Sequence, residues 1–315
     1  MLNRIMTIEI ARVTEAAAVA AARLRGRGSE KDADQVAVDA MRNALNTIDM
    51  DGTVVIGEGE RDEAPMLYIG EKVGTGKGDR IDIALDPLEG TTLTAKAMHN
   101  ALSVIAMAEA GSLLHSPDCY MEKIAIGGGY PAGVVDLDVS PEENIKRLAE
   151  ARRCPTSDIT ACVLDRPRHA DIIAGVRKAG AAIRLITDGD VAGVIHTADP
   201  VETGIDIYIG TGGAPEGVLA AAALRCIGGQ MQGRLILRKP DERERARRMG
   251  IADPDHKFTL EEMASGDVMF AATGVTDGSM LPGVRFEKGW VTTHTVVMRS
   301  ATGTVRWIKK RSKLR

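Results

Sequence analysis

Two short apolar runs, TVVIG at 53–57 and IDIALD at 81–86, each end among carboxylates, and a Gly-rich turn at 74–79 lies between them. Runs of this length bounded by turn residues read as strands. In an open α/β sheet, side chains just beyond the carboxyl ends of strands face the crevice where ligands bind. Glu58, Glu60, Asp62, Asp86 and Glu89 are expected there. Acids gathered so closely raise one another's pKa unless cations hold them ionised. Hard divalent ions such as Mg²⁺ prefer oxygen ligands and complete their shells with water and phosphate. No His/Cys cluster accompanies these acids, which excludes a typical zinc site. Taken singly, each acid is an ordinary turn residue. Glu58-Gly59-Glu60 together with Asp86-Pro87-Leu88-Glu89-Gly90-Thr91 is what marks a site, because Gly59 and Gly90 permit tight backbone turns around a ligand. Divalent ions at such a site polarise a phosphoryl group and acidify bound water, so the implied chemistry is hydrolysis of a phosphate ester.

The rest of the chain alternates helix-like and strand-like stretches, so the expected class is α/β. Residues 4–25 read as a helix ending at Gly26. A second helix starts near Asp32, with Val36, Met41, Leu45 and Ile48 on one face and Asp34 in its first turn. Strands are expected at 159–164, 183–187 and 205–210, helices after His169 and at 215–229, and closing strands from 283 to 310. The charged segment 239–257 reads as an exposed linker or helix face. Lys plus Arg number 40 and Asp plus Glu 44, for a net charge of -4, so nucleic acid is not an expected partner. Arg4, Glu9, Arg12 and Glu15 interrupt the apolar start, which argues against a signal peptide. With no apolar run of membrane-spanning length, no membrane partner is expected and a cytoplasmic enzyme is the default. Cys119, Cys154, Cys162 and Cys226 are scattered, as in a reducing compartment, and read as structural.

Two familiar motifs fail on detail. GTGGAP at 210–215 has proline where a dinucleotide fingerprint needs its third glycine, and GEKVGTGKG at 70–78 has the wrong spacing for a P-loop and Gly78 where Ser or Thr belongs. His169 is the one histidine inside a candidate motif, and a lone histidine is more often packed than catalytic.

The stretches IGEGERDEAPMLYIGEKVGTGKGD and DPLEGTT, with PDCYMEK, RPRH, DGD, GGAPEG and ATGVTDG further on, resemble the class II (GlpX-type) fructose-1,6-bisphosphatases of the lithium-sensitive, inositol-phosphatase-like superfamily. The resemblance implies a layered α/β sugar-phosphatase fold with two lobes, here a metal-binding lobe at 1–150 and a substrate-binding lobe at 151–315. It implies hydrolysis of the 1-phosphate of D-fructose 1,6-bisphosphate in gluconeogenesis, with two or more Mn²⁺ or Mg²⁺ ions, by a homo-oligomer (dimer or tetramer). Carried over residue by residue, the metal ligands are Asp34, Glu58, Asp86, the Leu88 carbonyl, Glu89 and Glu216. Thr91 is the residue that orients and deprotonates the attacking water, with Asp34, Asp62 or Glu60, in falling order, as its acidic partner. The implied substrate-binding residues are Glu89, Gly90, Thr91, Tyr120, Arg166, Arg168, Asp188, Gly189, Asp190 and Gly213. Without the resemblance, an acid at 216 is explained by the dipole of the helix it opens.

Two positions depart from the family pattern. Ser29-Glu30-Lys31 stands where a lysine commonly precedes the helix acid, and Arg166 stands where lysine is usual. Arginine preserves phosphate binding through its fork of donors but can alter sugar choice. Sedoheptulose 1,7-bisphosphate is the alternative substrate, and a non-catalytic sugar-phosphate sensor is the alternative of another class.

Overall fold

The structure, a computed structural model, describes residues 2–59 and 66–314. Glu60 and Asp62, two of the acids assigned above, lie outside the described residues. In chain order the elements are α1 (Met6–Ala22), α2 (Glu30–Leu45), β1 (Asp51–Ile56), β2 (Lys72–Val73), β3 (Arg80–Glu89), α3 (Thr91–Ala95) and β4 (Leu102–Glu109). They are followed by β5 (Tyr120–Ile126), α4 (Pro141–Arg152), β6 (Thr160–Leu164), α5 (Ala170–Lys178), β7 (Ala182–Ile186), α6 (Asp190–Ile195), α7 (Pro200–Thr203), β8 (Ile207–Gly213) and α8 (Ala214–Ile227). The last are β9 (Gln230–Ile236), α9 (Pro240–Arg248), β10 (Lys257–Thr259), α10 (Leu260–Met263), β11 (Val268–Gly274), β12 (Arg285–Glu287), β13 (Trp290–Arg299) and β14 (Thr304–Lys313). The fold is mixed α/β, as the alternating pattern predicts.

Packing divides the chain into residues 1–114 with 264–315, and residues 115–263. The division falls elsewhere than at 150/151, and the first unit is discontinuous. The reason is strand pairing: β11 lies antiparallel to β4, and β13 pairs in turn with β11, so the C-terminal strands complete the sheet begun by β1. That eight-stranded sheet runs β12-β13-β11-β4-β3-β1-β2, with β14 also paired to β13. β1 and β3 are adjacent and parallel, so both carboxyl ends leave the sheet on the same side.

Helices α1 and α2 cover one face of this sheet. Ala17, Ala18 and Ala21 of α1, and Ala33, Ala37, Met41 and Leu45 of α2, share a core with Ile83, Leu85, Ile105, Met107 and Met269. The buried stripe of α2 runs through Ala33 and Ala37, leaving Val36 half-buried, because small residues one turn apart let the two helices approach closely. Ser29 caps α2 by accepting a hydrogen bond from the Asp32 N–H at 3.2 Å. The helix therefore starts at Glu30, and Asp34 falls in its second turn. Met41 is fully buried, so Met41→Ala is expected to destabilise the protein by ~2–5 kcal/mol, measured as a lower denaturation midpoint.

The second unit is a six-stranded sheet, β10-β9-β5-β8-β6-β7, covered by helices on both faces. Ile124, Ile126, Val163 and Ile207 pack with Ile145 and Leu148 of α4 and Val176 of α5. Met121 and Lys123, on the alternate face of β5, lie against Gly217 of α8. The charged segment contains the solvent-exposed α9, whose sole buried residue is Ala246. No described helix is long and apolar enough to cross a membrane.

Candidate functional site

In a regular strand, Asp86 and Glu89 would point to opposite faces, because side chains alternate with a period of two. They do not. Opposite β4, Asp86 pairs with Val104 while Glu89 pairs with Leu102, so three steps along β3 match two along its partner. The extra residue is a bulge at Pro87-Leu88, where a proline without an N–H is tolerated. Its effect is legible in the core: Leu85 and Leu88 both join the cluster beneath α1 and α2. Asp86 and Glu89 are thereby turned together to the other face, and their carboxylates offer oxygens within 4.8 Å of each other. The Asp86 carboxylate also accepts the Leu88 N–H at 2.9 Å, which fixes the bulge. Glu89 is 5% exposed.

Glu58 lies two residues beyond Ile56, the last residue of β1, which pairs with Ala84 of β3, and the Glu58 N–H donates to the Leu67 carbonyl at 3.0 Å. Asp34 is half-buried in α2, and burial pushes its carboxyl above the usual range. After Glu89 the chain turns through Gly90 at φ 90°, and a Cβ there would meet Leu93 Cδ1 at 2.8 Å, so glycine is required. That turn places Thr91 at the first position of α3, directly after the acid pair. Two carboxylates at this separation, one of them buried, suit a divalent cation of the Mg²⁺ type.

In the second unit, β8 ends at Gly213 and α8 begins at Ala214, which sets Glu216 in the first turn. A Cβ on Gly213 would lie 1.8 Å from Glu216 Oε2, and one on Gly212 would lie 2.0 Å from Asp190 Oδ2. The glycines of GTGGAP thus make room for two carboxylates rather than for a dinucleotide. Asp190 is buried, with Oδ2 accepting from Lys123 Nζ at 2.5 Å and from the Tyr208 hydroxyl at 3.3 Å. Lys123 Nζ also donates to the Gly213 carbonyl at 2.9 Å. Lys123 was invisible to the sequence reading as a site residue, although a lysine inside the apolar strand MEKIAI is a signal, because a lysine is rarely buried without a partner.

Asp188 is half-buried and Gly189 adopts φ 81° before α6. His169 is buried between two strand ends: Thr211 N–H donates to Nε2 at 2.8 Å, so Nδ1 carries the proton that reaches the Leu164 carbonyl at 2.7 Å. Burial lowers its pKa and keeps it neutral, a strut rather than a base. That strut holds the RPRH turn against β8. Arg168 donates to the Thr211 carbonyl at 2.8 Å and lies over the Tyr120 ring, 5.1 Å from its centroid, while Arg166 donates to the Asp165 carbonyl at 3.1 Å. Arg238, which the sequence reading did not single out, lies over the same ring at 5.5 Å.

Residues 4–312 match the family described as bacterial fructose-1,6-bisphosphatase, glpX-encoded. The chain is 48% identical over 326 residues, covering 96% of it and 93% of the relative, to D-fructose 1,6-bisphosphatase class 2/sedoheptulose 1,7-bisphosphatase of Synechococcus sp. (strain JA-3-3Ab). It is 44% identical over 322 residues, covering 98% and 95%, to fructose-1,6-bisphosphatase 1 class 2 of Escherichia coli (strain K12). Among solved structures, an inositol monophosphatase from Anabaena (Nostoc) sp. PCC 7120 aligns with 61% of this chain and 71% of its own, at a TM-score of 0.31 and 13% identity.

Proposed function

The chain belongs to the glpX-encoded bacterial fructose-1,6-bisphosphatase family, and from that premise we propose how its residues divide the work of the reaction. The protein is a phosphatase that hydrolyses D-fructose 1,6-bisphosphate to fructose 6-phosphate and phosphate. The observation that carries the assignment of roles is the bulge in β3, which turns Asp86 and Glu89 to one face. With Asp34, Glu58, the Leu88 carbonyl and Glu216, these acids hold two or more divalent ions, Mg²⁺ or Mn²⁺. When bound, the ions supply Lewis acidity toward the phosphoryl group and offset the charge of the leaving oxygen.

Thr91 orients the attacking water through Oγ, and an acid accepts the proton. Asp34 is the first choice of that partner, ahead of Asp62 and Glu60. The water oxygen bonds to phosphorus as the bond from phosphorus to the C1 oxygen breaks, and the C1 oxygen takes a proton from solvent to leave as a hydroxyl of fructose 6-phosphate. Arg166 and Arg168 hold the phosphate that is not cleaved, since guanidinium forks match phosphate oxygens. Tyr120 and Asp188 face the sugar, Gly90, Gly189 and Gly213 allow close backbone approach, and Asp190 shapes the site through Lys123. The same premise extends to a cytoplasmic, gluconeogenic enzyme acting as a homo-oligomer, dimer or tetramer.

Sedoheptulose 1,7-bisphosphate is the second substrate to test, because one relative carries both activities in its name. Chelation of divalent ions is expected to abolish phosphate release, and Mg²⁺ or Mn²⁺ to restore it, when the two bisphosphates are assayed side by side. Undiminished release after exhaustive chelation would sink the metal assignment, and release from neither bisphosphate would sink the substrate.

A further inference from the structure

We propose that Arg238 is a third binding residue for the non-reacting phosphate, acting with Arg168 across the ring of Tyr120; the inference rests on the bisphosphatase reading above. Tyr120 opens β5, the strand between β8 and β9, and pairs with Gly213 on one side and Ile236 on the other. Arg168 reaches the ring from the β8 side, braced on the Thr211 carbonyl at 2.8 Å. Arg238 follows the end of β9 by two residues and reaches the same ring from the other side of β5.

Its backbone is pinned there. The N–H groups of Arg238 and Lys239 both donate to Glu242 Oε2, at 2.6 and 3.0 Å. Tyr120 remains 42% exposed between the two arginines, so the group opens to solvent.

Charge is the reason to assign a ligand. Arg234, four residues earlier in β9, is balanced by Asp138 and Glu122. Among the described residues, Arg166, Arg168 and Arg238 form no ion pair with a carboxylate. An aromatic face attracts one cation by roughly 0.5–1 kcal/mol at an exposed site, but two guanidiniums over one ring also repel each other. A phosphate dianion removes that repulsion and accepts hydrogen bonds from both forks. Tyr120 then sets the distance between the forks, which makes it a spacer as well as a sugar contact.

The test is steady-state kinetics of metal-replete, full-length wild type, Arg238→Ala and Arg238→Lys, on fructose 1,6-bisphosphate and on fructose 1-phosphate. Fructose 1-phosphate keeps the reacting ester and lacks the distal phosphate. Calorimetric binding of fructose 6-phosphate supplies a readout that needs no turnover. For Arg238→Ala the expected result is a KM for the bisphosphate raised roughly 10- to 100-fold, with kcat nearly kept and fructose 6-phosphate binding weakened by the same factor. Fructose 1-phosphate kinetics are expected to match wild type, with Arg238→Lys intermediate on the bisphosphate. Unchanged bisphosphate KM and product binding would overturn the proposal, as would an equal loss on both substrates. A wild type that leaves fructose 1,6-bisphosphate intact fails the bisphosphatase reading instead, and the two failures are distinguishable.

Discussion

Glu89→Gln is expected to lower kcat/KM on fructose 1,6-bisphosphate by about a thousandfold or more, a loss of ~4 kcal/mol of transition-state stabilisation, with the fold intact. The substitution keeps the size of a side chain that is 5% exposed and leaves the β3–β4 ladder untouched. What it removes is one negative charge beside Asp86, whose carboxylate oxygens lie within 4.8 Å of those of Glu89. The same change relieves like-charge repulsion when no cation is bound. The metal-free variant is therefore expected to melt at or above the metal-free wild type, and its melting temperature to rise less when Mg²⁺ or Mn²⁺ is added. Activity within tenfold of wild type, or an unchanged metal-dependent rise in melting temperature, would contradict the role given to the acid pair.

Lys123→Met is expected to cost ~3–5 kcal/mol of stability, read from denaturant unfolding. Lys123 is 1% exposed, and its ammonium holds both the Asp190 carboxylate and the Gly213 carbonyl. Without it, the buried carboxylate of Asp190 keeps, among the described residues, the Tyr208 hydroxyl as its side-chain partner. A buried ion pair contributes little over an apolar pair of equal volume, whereas a lone buried charge is costly. Adding Asp190→Leu to Lys123→Met is therefore expected to recover a large part of the loss, a coupling that a double-mutant cycle measures. Additive losses from the two substitutions would show that the pair is not the energetic unit described here.

Much of the fold was legible because apolar periodicity is local. The strands around residues 54 and 83, the helix after His169 and the helix after Gly213 each follow from a few consecutive residues. What escaped is non-local. The boundary expected at 150 moves because β11 and β13 return to the first sheet, and nothing in their own composition names the strands they pair with. The stripe of α2 shifts from Val36 to Ala37 because close helix packing selects small residues over larger apolar ones. In the site, the motif Asp86-Pro87-Leu88-Glu89 pointed to a cluster of acids, but simple alternation sends its two carboxylates to opposite faces. Only the register shift against β4 reverses that, and a bulge is a property of the pair of strands. Arg238 was hidden for a similar reason: it lies about 70 residues from Arg168 in sequence, and only the order β9-β5-β8 brings both to Tyr120.

The glycines of the chain show how one residue type serves different ends. Gly90 allows the turn that sets Thr91 after the acids, through a positive φ. Gly213 has ordinary extended geometry, and its lack of a side chain makes room for the Glu216 carboxylate. A sequence motif records both as glycine, and only the structure separates the two reasons.

The central claim is that a set of acids built around the β3 bulge makes this chain a cation-dependent bisphosphatase that cleaves one ester of its substrate. The most direct measurement is ³¹P NMR of fructose 1,6-bisphosphate incubated with purified protein, first free of divalent ions and then with Mg²⁺ or Mn²⁺ added, the Mn²⁺ being chelated before the spectra are taken. The account predicts no change without the ion. With it, the C1 phosphate resonance is replaced by inorganic phosphate while the C6 resonance persists as that of fructose 6-phosphate. Loss of the C6 phosphate first, or equal hydrolysis with and without the ion, would contradict it.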